Sequence, residues 1–227
     1  MDLQGRLTSM NSKKFNVYKS AVGFDIASGL LLIAGLVVGI ILGFSSTIVV
    51  SSSAILNTVI AILIFMLVLF IYLAVRYEAY TGFTAILAVA HNVMLTTALV
   101  CIFRLPINDS FMMVIMAVCG LTAINNLVLF ANKKEYHKTE NREQLVNSMV
   151  GEKLKSLILI NCVIFTAVML MIFTFDKSII MFVRPMLIGI IATMYSSIFM
   201  VAPFWGYFVK EKKVRKQDNL VEKDYIK

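Results

Sequence analysis

Apolar residues run through this chain in six long stretches with short polar segments between them. The stretches fall at about residues 21–44, 54–75, 83–103, 111–131, 157–175 and 179–209. A helix needs about 20 apolar residues to cross a hydrocarbon core of ~30 Å, and each stretch comes close to or exceeds that length. The pattern predicts an all-α membrane protein, a bundle of six transmembrane helices flanked by a polar segment at 1–20 and a basic tail at 210–227. The sixth stretch is expected to be interrupted near Arg184-Pro185. The first stretch follows a basic lead (Arg6, Lys13, Lys14, Lys19), as a signal peptide does. It is far longer than the roughly 7–15 residues of a signal core, however, and reads as an uncleaved span. The polar segment 132–156, which carries KKEYHKTENREQ, fits either an amphipathic helix on the membrane surface or a plain connector.

The fourth stretch, FMMVIMAVCGLTAINNLVLFA from Phe111 to Ala131, contains no charge but holds two adjacent amides, Asn125 and Asn126. No water satisfies an amide in hydrocarbon, so each must find a partner. The residue type alone leaves two readings open: glue between helices, or members of a polar relay across the membrane. His91 and Asn92 in the third stretch raise the same choice. A lone imidazole can shuttle a proton, or it can simply hydrogen-bond Asn92 or a neighbouring helix. Adjacent helical residues point about 100° apart, so Asn125 and Asn126 are expected to face different neighbours.

Composition narrows the class further. The chain is 59% hydrophobic and only 15% charged, far from a soluble domain, and six spans leave no room for a separate soluble body. A net charge of +8 raises nucleic acid as a partner. That reading fails, because the charge is divided among short segments at the ends of spans. With both termini in the cytoplasm, 18 of the 21 lysines and arginines lie inside, leaving only Arg104, Lys177 and Arg184 outside. The bias predicts an N-in, C-in topology with short outer loops. Cys101, Cys119 and Cys162 all sit in apolar runs without metal or redox spacing. No nucleophile–base set, phosphate-binding loop or metal cluster appears, so neither an enzyme nor a cofactor is expected.

Three strings carry a family resemblance. Leu187-Ile188-Gly189-Ile190-Ile191, Tyr195-Ser196-Ser197-Ile198-Phe199 and Pro203 resemble the last transmembrane helix of SecF, a protein-export subunit that works with SecD beside the Sec translocon. Arg76-Tyr77-Glu78, then Ala85-Ile86-Leu87-Ala88 and His91-Asn92-Val93, is similar to the family's Arg-Phe-Glu, GAILAL and His-Asp-Val. Gly120 to Phe130 resembles G-Y-S-I-N-D-x-x-V-V-F without a gap. The resemblance covers nearly the whole chain and implies a six-helix bundle of the SecF type, related to the membrane domains of proton-driven RND transporters. It also implies a multi-pass protein of the bacterial plasma membrane, with a SecD-like subunit and the Sec translocon as partners and preproteins as indirect substrates.

The departures from the family are specific. The folded domain that relatives carry between spans 1 and 2 is absent. The family's acids fall on Asn92 and Asn125, while Asn126 matches the amide of the SecD motif V-D-A-N. Gly151-Glu152-Lys153 stands where relatives carry Ser-Arg-Thr, so Lys153 joins Asn125, Asn126, His91 and Asn92 as a candidate for the relay or helix interface. An amide does not titrate near neutral pH, whereas a carboxylate can be tuned to do so. The resemblance implies an accessory subunit assisting export driven by the proton-motive force. Its alternatives are a non-conducting scaffold that completes a SecD-like bundle and, last, an independent small-molecule transporter. Arg76 and Glu78 are expected as an interfacial pair or anchors, and Gly189 with Ser196 and Ser197 as a small-residue packing face.

Overall fold

The computed structural model describes residues 16–43, 48–131, 142–174 and 179–208. Six helices long and apolar enough to span a membrane form the bundle. They are α1 (Val17–Gly43), α2 (Ser52–Arg76), α3 (Ala79–Ile102), α4 (Asp109–Phe130), α5 (Arg142–Thr174) and α6 (Ile180–Ser196). A π-helical turn (Ser197–Val201) and α7 (Ala202–Phe208) continue the last span. The six-helix membrane architecture expected from the sequence is thus the one observed. The end of the bundle where α1 begins is called basal below, and the opposite end distal.

Polarity is inverted relative to a soluble fold. Among the described residues twelve polar side chains are buried, including Asn92, Thr122, Asn125, Asn126, Asn161 and Thr193. Large apolar side chains such as Ile26, Leu30, Ile33, Leu36, Leu63 and Leu67 lie outside. Lipid tails are as apolar as leucine, so an outward Leu costs nothing there, while an amide gains only by turning inward. Helices α3, α4 and α6 bury half of their apolar stretch or more, whereas α1, α2 and α5 bury under a fifth. The first three form the centre, and the others lie between that centre and the lipid.

Glycines let the layers close, Gly189 and Gly35 among them. A Cβ on Gly189 of α6 would stand 2.5 Å from Val118 Cγ2 of α4 and 3.5 Å from Thr96 Cγ2 of α3. A Cβ on Gly35 of α1 would overlap Ala98 of α3, both its Cβ and its backbone Cα.

At the distal end, the loops before α2 and α4 are joined by a parallel pair of two-residue strands, β1 (Ile48–Val49) and β2 (Ile107–Asn108). The Ser51 amide donates to Asp109 Oδ1 at 3.1 Å, tying the start of α2 to that of α4. Ser51 and Asn108 cap these two helices, accepting from the Ala54 and Phe111 amides. The turn out of α3 bends at Arg104, whose φ of 53° is left-handed, and the Leu105 amide reaches back to the Val100 carbonyl at 3.0 Å. Pro106 then prevents the helix from resuming.

The structure differs from the pattern in two places. Helix α6 runs unbroken through Pro185, which lies in its second turn and forfeits only the bond to the Met181 carbonyl. The irregularity comes later, as the π turn ahead of Pro203. A proline ring crowds the carbonyl four residues earlier, here Phe199, and the wider turn makes room for it. Second, residues 142–156 do not form a separate surface element but extend α5. Leu145, Val146, Met149 and Val150 recur at helical spacing and bury a stripe in the cluster that holds Leu129, Phe130 and Trp205. The rest of the expected surface segment (132–141), the N-terminal segment up to residue 15, and the basic tail fall outside the described residues.

Candidate functional site

Four asparagines on three helices define a polar seam inside the bundle. Asn92 on α3, Asn125 and Asn126 on α4 and Asn161 on α5 are each at most 1% exposed. Asn92 Nδ2 donates to Thr122 Oγ1 at 3.0 Å, and that hydroxyl donates in turn to the Val118 carbonyl at 2.7 Å. This joins α3 to α4. Thr122 falls at the serine of the family string, one turn before Asn126.

The second link joins α4 to α5. Asn161 Nδ2 donates to Asn125 Oδ1 at 2.9 Å, and Asn125 Nδ2 returns a longer bond of 3.4 Å to Asn161 Oδ1. Asn161 Nδ2 also donates to the Leu157 carbonyl at 2.7 Å, one turn back on its own helix. That bond orients the amide and leaves its oxygen facing Asn125. The two bonds form a closed ring in which each amide satisfies the other, the arrangement that best suits amides cut off from water.

Asn126 points elsewhere, as the 100° step between neighbours requires. Neither of its side-chain atoms has a hydrogen-bond partner among the described residues, nor do Asn92 Oδ1, Thr96 Oγ1 or the two ring nitrogens of His91. Asn92 Nδ2 is engaged by Thr122, so only Oδ1 of that amide is left to face His91. Asn161 was missed in the sequence although its signal was available, as the one amide in the apolar run Leu157–Phe175. Thr122 was hidden by its commonness in membrane helices.

The remaining candidates lie apart from the seam. Lys153 is half-buried two turns before Asn161 on α5, about 12 Å along the axis. Arg76 is exposed at the basal end with its guanidinium over the Tyr77 ring, 5.7 Å from the centroid, and Glu78 occupies the N-cap position of α3. Phe130 is buried against Trp205 with ring centroids 5.9 Å apart. Gly120 faces open space. Tyr195 binds the last span to the first, its hydroxyl donating to the Phe24 carbonyl at 2.6 Å. Ser197 Oγ returns to the Thr193 carbonyl, and Ser196 Oγ approaches only Met200 Sδ at 3.8 Å. With Gly189, these two serines present a small face that fits closely between neighbours. Pro203 is buried at the foot of the π turn.

Basal contacts fasten α1 to the extension of α5. Asn16 Nδ2 donates to Glu143 Oε1, Lys19 Nζ lies 3.3 Å from the same oxygen, and Asn147 Nδ2 donates to Asn16 Oδ1 at 3.0 Å. Among the described residues, no three His, Cys, Asp or Glu side chains are grouped to hold a metal.

Lipid-facing apolar helices around a buried, uncharged polar seam define a multi-pass membrane protein whose internal groups bind helices together. The family follows from comparison. Residues 44–211 match the family described as protein export membrane protein SecD/SecF, C-terminal. The chain belongs to that family. Among similar proteins, the protein translocase subunit SecF of Rickettsia typhi is 31% identical over 156 residues, 67% of this chain and 50% of the relative. The protein translocase subunit SecF of Helicobacter pylori is 26% identical over 148 residues, 64% of this chain and 46% of the relative. The chain thus spans about half the length of the relatives it matches.

Proposed function

We propose that this chain is a SecF-type accessory subunit of the Sec translocation machinery in a bacterial plasma membrane. In this reading it pairs with a SecD-like subunit and assists export that draws on the proton-motive force. The observation that carries the reading is the family match over all but the first span; Asn92, Thr122 and Asn125, which the resemblance sets against polar residues of the family, are buried on the seam. A charge moving through 100 mV yields about 2.3 kcal/mol, enough to bias a conformational step. The seam contains no carboxylate, so the titrating acid is assigned to the partner.

The closed Asn125–Asn161 ring favours a second reading, a scaffold that completes the partner's bundle and conducts nothing. Both readings are tested by export of a preprotein in cells that rely on this chain, with and without an uncoupler. If Asn125 serves coupling, Asn125→Ala slows export while the complex still assembles, and Asn125→Asp steepens dependence on the gradient. If the chain is a scaffold, every variant that assembles exports like the parent. Cells that export equally well without the chain would refute both.

A further inference from the structure

The two amides of α4 divide the seam into unlike halves. Asn125 has both side-chain atoms engaged by Asn161, whereas Asn126 is fully buried with neither atom engaged among the described residues. The register of α3 against α4 sets two more open polar atoms on the same side. The Asn92–Thr122 bond aligns the helices, and Asn126 follows Thr122 by one turn on one face, with Cβ atoms about 5–6 Å apart. Asn92 keeps an open Oδ1, and Thr96, one turn further along α3, keeps an open Oγ1 beside Gly189 of α6. In the other direction the residue one turn from Asn92 is Ala88, whose methyl group offers the Asn126 amide nothing to bond. The result is a stripe of three open polar groups, roughly 12 Å long, along the α3–α4 contact.

We propose that this stripe is an internal hydration site, in which ordered water bridges Asn126, Asn92 and Thr96 beside a dry Asn125–Asn161 pair. An amide left unpaired in hydrocarbon loses several times what an average interhelical hydrogen bond supplies. Groups one turn apart are separated by about two hydrogen-bond lengths, the gap that one water spans. A buried water makes about three hydrogen bonds, and the stripe offers donors and acceptors of both kinds. Its donors are all neutral, which suits water better than a hard cation, whose sites favour carboxylates. The site follows from helix packing alone and does not depend on the translocase reading.

Water-edited solid-state NMR of the full chain in lipid bilayers, with asparagine side chains labelled, tests it directly. Magnetisation from water should reach Asn126 Nδ2 several-fold faster than Asn125 Nδ2 and Asn161 Nδ2, which serve as dry references in the same sample. Equally slow transfer at all three, or a direct bond from Asn126 to a protein acceptor, would overturn the proposal. In Asn126→Leu, transfer to the Asn92 side chain should fall several-fold with Asn125 unchanged. An unaltered Asn92 signal would show that the two residues share no water. If that variant does not fold, the comparison within the parent chain still decides.

Discussion

The Asn125–Asn161 ring makes an unequal prediction for its two members. In Asn161→Leu, both amide atoms of Asn125 lose their partner at once. In Asn125→Leu, Asn161 loses less, because its Nδ2 retains the Leu157 carbonyl at 2.7 Å and only its oxygen is stranded. A stranded buried polar group costs about 1–3 kcal/mol, and the longer 3.4 Å bond argues for the lower part of that range. We expect a loss of roughly 1 kcal/mol for Asn125→Leu and roughly 2 kcal/mol for Asn161→Leu. The double variant removes both partners and strands neither, so it should be milder than Asn161→Leu alone. The coupling between the sites should then exceed about 1 kcal/mol, in the upper part of the range between the ~0.6 average and ~1.7 maximum found for interhelical hydrogen bonds in membranes. Reversible unfolding in bicelles, followed by a probe on α5, measures all four corners of the cycle. Additive losses, or a double variant worse than either single one, would refute the ring.

Other outcomes test the packing and the topology. Gly189→Ala should cost about 1–3 kcal/mol through the clash with Val118 Cγ2, and Val118→Ala should recover most of it. Gly35→Ala meets the backbone of Ala98, which cannot yield, and should lie at the top of that range without a side-chain rescue. Gly120→Ala enters open space and should be neutral, or stabilising by up to ~1 kcal/mol from helix propensity, in the same unfolding assay. Cysteines at Ser51, Ser110 and Ser178 should be labelled from outside the cell, and those at Ser12 and Gln217 only after permeabilisation. A reversed pattern at either terminus contradicts the predicted orientation.

The spans were legible because each is a long uninterrupted apolar run, for which crossing the bilayer as a helix is the available solution. What the runs could not reveal was the packing at single residues. Pro185 looked like a break because its position within the second turn, where little is lost, depends on where α6 starts. The extension of α5 was obscured because its buried stripe, Leu145 to Val150, is split by the polar Asn147 and Ser148 and flanked by the charges of Arg142, Glu143, Glu152 and Lys153. The seam was half visible. Asn125 and Asn126 announced themselves by polarity, yet nothing local distinguishes the one that meets Asn161 from the one with no hydrogen-bond partner among the described residues. That difference arises from a partner 36 residues further along the chain.

The central claim, a SecF-type subunit working within a larger membrane complex, is tested most directly by quantitative mass spectrometry after affinity purification from native membranes under mild detergent. A SecD-like subunit is predicted to accompany the chain at near-equal abundance, with translocon components enriched. A clean monomer with no Sec component above background would contradict the account.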